Sequence, residues 1–322
     1  MTFNTLNQII DQNYQPSVDF PADTDTLFSN HKNIYQRRIE KRQRKLLQKI
    51  TFLPAFLHQG ERVLQVTTGC SPVSFVEQYL TGALLVFIVR RALFVFTDRR
   101  IFHIPTMSNF SYRGSIAQIC YADCNKIYTK GRTLVAEYKD GTKEKFPCIA
   151  AREKAKVKSL LQSVCLDGPE SPAQHRTHLC PRCTSTLIED TFTCPACRLQ
   201  FKSKSRARKL SIIFPGGGYF YTRHPYFGLT YALVETYLLL LLLITLLALP
   251  ETLPAVIFLA LILTLEKSIT IYHANRYVEE LIPLQHDVQP NRTPAPQAAH
   301  HEQKNIHADL DQNTLTQILS TR

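Results

Sequence analysis

The chain of 322 residues contains no tryptophan, so any aromatic belt at a membrane surface has to be built from tyrosine. It also lacks the common catalytic signatures: a nucleophile elbow, a His-Glu-x-x-His helix and a phosphate loop ending in Lys-Ser/Thr are all missing. An enzyme is therefore not expected. The opening Met1-Thr2-Phe3-Asn4-Thr5-Leu6-Asn7 has neither the basic region nor the apolar core of a secretory signal, and no cleaved leader is expected. Acidic residues are in the minority. The formal charge is +12, with the excess gathered between His31 and Ile50 and again at Lys202, Lys204, Arg206, Arg208 and Lys209. Such clusters suit an acidic surface, either anionic lipid or nucleic acid.

Two apolar stretches, 226–249 and 253–272, flank the short turn Pro250-Glu251-Thr252. Twenty-odd helical residues rise ~30 Å, enough to cross a hydrocarbon layer. In the second arm Glu266 and Lys267 interrupt the apolar run. Glu235 and Lys267 both fall roughly 20 Å from the turn at helical rise, and a charge at that depth needs a partner. This predicts a Glu235–Lys267 pair, with Glu266 turned toward the headgroups. The second basic cluster precedes the first arm while the turn carries only Glu251, so the positive-inside rule puts both termini in the cytoplasm. Tyr219, Tyr221, Tyr226 and Tyr231 are the expected interfacial belt, with His224 beside them. Pro215-Gly216-Gly217-Gly218 reads as tight backbone packing at the membrane surface.

Cys180-Pro181-Arg182-Cys183 and Cys194-Pro195-Ala196-Cys197 are two Cys-Pro-x-Cys turns separated by a short hairpin. Two thiolates per turn supply four soft ligands to one tetrahedral site, which favours zinc, and a closed four-sulfur shell leaves no position for water or substrate. The expected metal ligands are Cys180, Cys183, Cys194 and Cys197, and the expected cofactor is a structural Zn2+. His175 and His178 read as bystanders. Cys70, Cys120, Cys124, Cys148 and Cys165 lack ligand spacing and read as buried thiols.

Along the chain, residues 1–30 read as a disordered arm and 31–51 as a basic amphipathic helix. Residues 52–166 carry short strands, with hairpins about Asp98-Arg99-Arg100 and Asp140-Gly141 and a closing helix over 152–164. Residues 167–176 are a linker, 177–203 the cysteine unit, 204–228 a juxtamembrane segment, 229–272 the membrane hairpin and 273–322 a mostly disordered tail.

The Phe96-Thr97-Asp98-Arg99-Arg100-Ile101 turn, the strand Ser115-Ile116-Ala117-Gln118-Ile119, the Asp140-Gly141 hairpin and the closing helix resemble bacterial pleckstrin-homology-like (GRAM-related) domains. The resemblance implies a small bent antiparallel barrel capped by one helix and used for docking to lipid or protein. The Lys-x(n)-Arg-x-Arg loop of phosphoinositide binders is missing, so no headgroup site carries over. Arg90, Arg91, Arg99 and Arg100 are open to two readings, phosphate contact or plain surface charge. The cysteine turns resemble a zinc ribbon, although the glycine often found after the second cysteine is replaced by Thr184 and Arg198. The Pro-Gly-x-Gly-x-Phe-Tyr stretch resembles a loop of small two-pass bacterial membrane domains.

The fold class expected is thus α+β multidomain: a PH-like β barrel with a capping helix, a zinc ribbon and a transmembrane helical hairpin. The expected role is a cytoplasmic adaptor or scaffold, integral to a bacterial inner membrane by two passes, docking a protein or an anionic lipid surface. The alternative is a membrane-tethered nucleic-acid binder. Against it, the ribbon offers only Arg182, Arg198 and one aromatic, too little for a stacking platform.

Overall fold

The computed structural model describes residues 20–81, 85–166, 175–188, 191–248, 250–285 and 288. The strand-rich part is two antiparallel sheets. The first contains β1 (Val63–Cys70), β2 (Arg91–Thr97), β3 (Arg100–Pro105) and β4 (Ile116–Cys120) as a meander, and the second β5 (Cys124–Lys130), β6 (Thr133–Tyr138) and β7 (Lys143–Phe146). Helix α5 (Lys154–Ser163) closes the pair, burying Val157, Leu160 and Leu161.

β2 is an unbroken apolar run from Ala92 to Phe96, and β3, apolar apart from Arg100 and His103, is buried throughout, because both faces of these strands are covered. Ala92, Phe94, Phe96 and Ile101 point into the core shared with the second sheet and α5. Leu93, Val95, Phe102 and Ile104 point the other way, into a second core with Ile50, Leu53 and Phe56. Each side chain buried this fully contributes about 1.5–3 kcal/mol relative to exposure. Between the neighbouring strands β1 and β2, a Cβ on Gly69 would lie 2.8 Å from the Phe94 ring and 3.0 Å from Ile149, so any larger residue would displace these core side chains.

The barrel anticipated from the sequence does not close. The sheets face each other across their shared core, and at one corner their backbones are joined, where Cys70 N–H donates to Pro147 O at 2.9 Å and Ala150 N–H to Thr68 O at 3.0 Å. The outer edge of β4 is taken instead by β8 (Thr177–Leu179), the strand that leads into the first cysteine turn. The cysteine unit is therefore built onto the sheet.

The basic helix is α2 (Arg37–Leu47), after the one-turn α1 (Thr24–Leu27). Its inner face is pinned to β1 by Gln43, whose Nε2 donates to Val66 O at 2.9 Å and whose Oε1 accepts from Val66 N–H at 3.2 Å. Arg37, Arg38, Lys41, Arg44 and Lys45 stay exposed. Residues 20–30, expected to be loose, are packed: Leu27 is fully buried and the Lys156 ammonium donates to the carbonyls of Thr26 and Ser29. A single turn is too short to show a helical period in sequence. Residues 1–19 of the expected arm lie outside the described residues.

Between β1 and β2 the chain makes α3 (Phe75–Thr81) and α4 (Leu85–Val89). After the cysteine unit come α6 (Lys204–Ile213), the one-turn α7 (Gly217–Tyr221), α8 (Pro225–Leu247) and α9 (Leu253–Val278). The last two are the apolar arms. At 23 and 26 residues they extend about 34 and 39 Å, longer than a hydrocarbon layer of ~30 Å. Only Gly228 and Glu235 of α8 are buried, while Leu240, Leu243, Ile244 and Leu247 are exposed. A core helix of a water-soluble domain would hide them, so the pair has the form of membrane-spanning helices. The second arm continues past Tyr272 because the polar residues beyond it find partners: Asn275 with Arg208 at 3.2 Å and Arg276 with Glu279 at 2.6 Å.

Candidate metal centre

Each cysteine turn has the same backbone wiring. Thr184 N–H donates to Cys180 O and Arg198 N–H to Cys194 O, both at 2.9 Å, while Cys180 N–H bonds Ser185 O at 2.8 Å and Cys194 N–H bonds Leu199 O at 2.9 Å. This closes each turn and points amide hydrogens at sulfur: those of Arg182 and Cys183 at Cys180, those of Ala196 and Cys197 at Cys194. Thr184 and Arg198 adopt φ of 61° and 58°, the left-handed conformation a glycine would supply. The turn geometry is thus kept without glycine, at about 1–2 kcal/mol for each such residue.

The four sulfurs lie within 4.8 Å of one another. Cys180 and Cys197 are 3.5 Å apart and Cys183 and Cys194 3.6 Å apart, sulfur to sulfur. Tetrahedral ligation at ~2.3 Å per bond requires sulfurs ~3.8 Å apart. The arrangement fits one closed metal site. Burial pushes the Cys194 thiol up, but the Ser185 hydroxyl and the Cys197 and Ala196 amides outweigh it and bring the thiol to about 6, so a thiolate forms readily there. Below the site, Leu187, Leu199 and Phe201 pack with Leu281 and Val288, and Phe201 pairs with Pro283. Part of the expected tail is therefore the floor of the cysteine unit. His175 and His178 stand apart from the four sulfurs. His178, on β8 opposite Ala117, is held near 3 by burial and by Arg176. Glu189 and Asp190 lie outside the described residues.

The second feature is a buried ionic junction between sheet, cysteine unit and hairpin. Arg90, expected to meet phosphate or water, does neither: it is 3% exposed, with Nε 2.5 Å from Glu77 Oε1 and Nη1 3.1 Å from Glu280 Oε1. Its guanidinium also covers the Tyr277 ring at 4.7 Å. Burial raises the Glu280 carboxyl, but Arg90, Arg176, His178 and Arg113 hold it below the usual carboxylate range. Arg113 reaches His224, which is buried rather than interfacial. Arg223 donates to the carbonyls of Arg113, Pro283 and Gln285 at 2.8, 2.9 and 2.7 Å. Arg100 is likewise inside, bonded to Glu61 at 2.7 Å. Arg99 remains exposed and Arg91 half-buried.

Inside the hairpin Lys267 Nζ lies 2.6 Å from Glu235 Oε2, with Glu235 fully buried, as the equal depth of the two predicts. Glu266 differs from expectation. It turns inward, where Thr270 one turn on donates to its Oε1 at 2.9 Å. Tyr219 leaves the expected belt, being 1% exposed with its hydroxyl 2.6 Å from His273 Nδ1, whereas Tyr226 is 82% exposed.

A buried Ser71–His103 pair, Oγ to Nε2 at 2.9 Å, resembles half of a hydrolytic triad. The Arg176 Nη1 donates to His103 Nδ1 at 3.3 Å, which leaves the proton on Nε2. His103 thus donates to the serine oxygen and does not act as its base. Of the other cysteines, Cys70 and Cys124 are buried, Cys120 and Cys148 half-buried, and Cys165 is exposed, against expectation.

No protein-family model, curated protein or solved structure matches the chain.

Proposed function

We propose that this chain is a non-catalytic adaptor anchored in a bacterial inner membrane, in which a PH-like sheet pair and a structural zinc ribbon form one platform at the cytoplasmic surface. The observation that carries the reading is the buried junction at Arg90, Glu77, Glu280 and Arg223. Flexible tethering needs no such junction, whereas presenting a surface at fixed height and angle to the bilayer does. What supports the PH-like part of the reading is two antiparallel sheets followed by one closing helix. Zinc suits four thiols at this spacing, and with no open position its contribution is to fold the unit. Lys204, Arg206, Arg208 and Lys209 at the near end of the hairpin, against Glu251 at its turn, support cytoplasmic placement of both ends.

The docking face we assign is the outer side of α2, where Arg37, Arg38, Lys41 and Lys45 are exposed while Gln43 holds the opposite side to β1. An acidic protein surface is the expected partner, and the anionic leaflet the other acceptor of the same charge. The nucleic-acid reading gains nothing from the ribbon. Its aromatic, Phe192, packs on Ala207, Ala274 and Val278, and Arg182 bonds Gln285.

The test is crosslinked co-purification from membranes, comparing the wild type with a variant carrying Arg37→Glu, Arg38→Glu, Lys41→Glu and Lys45→Glu. Loss of specific crosslinked proteins with unchanged membrane retention and metal content is expected. The same crosslinked set in both would refute the docking face. Zinc well below one equivalent in untagged protein would refute the metal assignment.

A further inference from the structure

Helix α6 runs antiparallel to α9 on its outside. Lys204 sits 3.3 Å from Glu279, Arg208 3.2 Å from Asn275, and the Ser211 carbonyl accepts from Lys267 Nζ at 2.8 Å. From Lys204 to Ser211 the path along α6 is seven residues, a descent of about 10 Å. The Ser211 carbonyl there meets the tip of the Lys267 side chain where it pairs with Glu235, and Gly216 beyond it sits against Gly228, below the near ends of both spanning helices. After Phe214 the chain reverses and climbs back through α7 to His224, where α8 begins.

The reversal is compact enough for that depth. Gly216 has φ 66°, and a Cβ there would lie 2.1 Å from Gly228 O; a Cβ on Gly218 would lie 2.1 Å from Ser211 Oγ. Backbone groups at the reversal find partners inside the protein: Phe214 N–H donates to Leu210 O, Gly217 N–H to Phe214 O, the Gly216 carbonyl accepts from Tyr219 and Phe220, and Pro215 has no N–H to satisfy. A hydrocarbon environment demands this of non-helical backbone. What remains outside is apolar. Ile212, Ile213, Phe214 and Phe220 are 62, 67, 56 and 47% exposed, and Arg206, Arg208 and Lys209 lie one to two turns above them.

We infer that α6 and α7 form a re-entrant wedge in the cytoplasmic leaflet, with Ile212, Ile213 and Phe214 among the acyl chains and Arg206 and Lys209 at the phosphates of anionic phospholipid. The occupant of this face is lipid because the face is continuous with the exposed sides of α8 and α9, and because the cations stand where headgroups would be. The inference rests on the membrane reading above. It adds a third membrane element and makes the leaflet, rather than the two spans alone, the ligand that fixes the platform.

The absence of tryptophan makes the test direct. Full-length protein with a single Phe214→Trp, Leu243→Trp or Ile188→Trp substitution is reconstituted in phosphatidylglycerol–phosphatidylethanolamine vesicles carrying acyl-chain bromines. Emission of the Phe214→Trp and Leu243→Trp variants should be quenched by the bromines and spared by iodide, and that of Ile188→Trp the reverse. Iodide quenching of Phe214→Trp alongside bromine quenching of Leu243→Trp would overturn the wedge and leave the anchor standing. Shielding of Phe214→Trp from both quenchers would overturn it in favour of a second copy on this face. Failure of both Phe214→Trp and Leu243→Trp to meet the bromines would remove the anchor and the wedge together. An Arg206→Gln, Lys209→Gln variant should lose the gain in melting temperature that phosphatidylglycerol gives over phosphatidylcholine; an undiminished gain would overturn the phosphate contact.

Discussion

Replacing Thr184 and Arg198 by glycine should tighten metal retention although neither touches the metal. Both residues sit at φ near 60°, where an L side chain costs about 1–2 kcal/mol. Glycine removes that cost but returns about 0.4–1 kcal/mol to the unfolded chain as entropy. The net gain is about 1 kcal/mol for the β-branched Thr184 and about half that for Arg198. Thr184 also gives up its hydroxyl bond to Cys183 O at 2.7 Å, but the group is half-exposed and water replaces the partner. Folding of so small a unit is coupled to metal binding, so about 1.5 kcal/mol appears as roughly tenfold greater affinity. The assay is competition against a chromophoric zinc chelator at fixed pH. The double variant should need roughly ten times more chelator to lose half its metal, and Thr184→Ala, which keeps Cβ, should gain little. Metal loss from Thr184→Gly at lower chelator than the wild type would refute the reasoning.

Glu235→Gln and Lys267→Met should each lower the melting temperature in detergent, and their combination should cost less than the two losses added, since pairing at 2.6 Å makes them interdependent; additive losses would deny the pair. Arg90→Met leaves Glu77 and Glu280 buried without their shared cation, which should cost about 3–5 kcal/mol of stability, read by thermal unfolding, with Glu77→Gln in the same chain recovering part of it. Lys202 is brought to about 7 from an ordinary 10.5 by burial, with Arg223 and Arg113 adding to it. Between those values the unfolded chain binds the proton and the folded chain does not, so stability rises with pH from about 7 to about 10 and sits at its low plateau below. Lys202→Met should remove that rise, seen as a flatter melting temperature against pH.

The parts of this protein that were legible in sequence are those governed by neighbours in the chain. Asp140-Gly141 marks its hairpin because Gly141 takes φ 86° and Asp140 Oδ1 accepts from Thr142 N–H at 2.8 Å, both local events. The cysteine turns and the apolar arms are legible for the same reason. Equal depth of Glu235 and Lys267 follows from helical rise alone. What misled were residues whose meaning lies across the fold. Arg90 looks like surface charge until Glu280, distant in sequence, arrives beside it. Glu266 looks like a headgroup residue until Thr270 offers a hydroxyl. The strand 177–179 is too short to announce itself and exists because β4 leaves an edge open to it. The residues after Tyr272 look like tail because their apolar members, Leu281 and Val288, serve a core whose other half was made a hundred positions earlier.

That last arrangement sets an order of assembly. The four thiols leave the ribosome well before Leu281 and Val288 do, and the two arms lie between them. The cysteine unit therefore gains its floor only after both arms have been made and the chain has returned to it. A chain that ends short of Leu281 leaves Leu187, Leu199 and Phe201 without that cover, so the cysteine unit is completed by residues beyond the second arm.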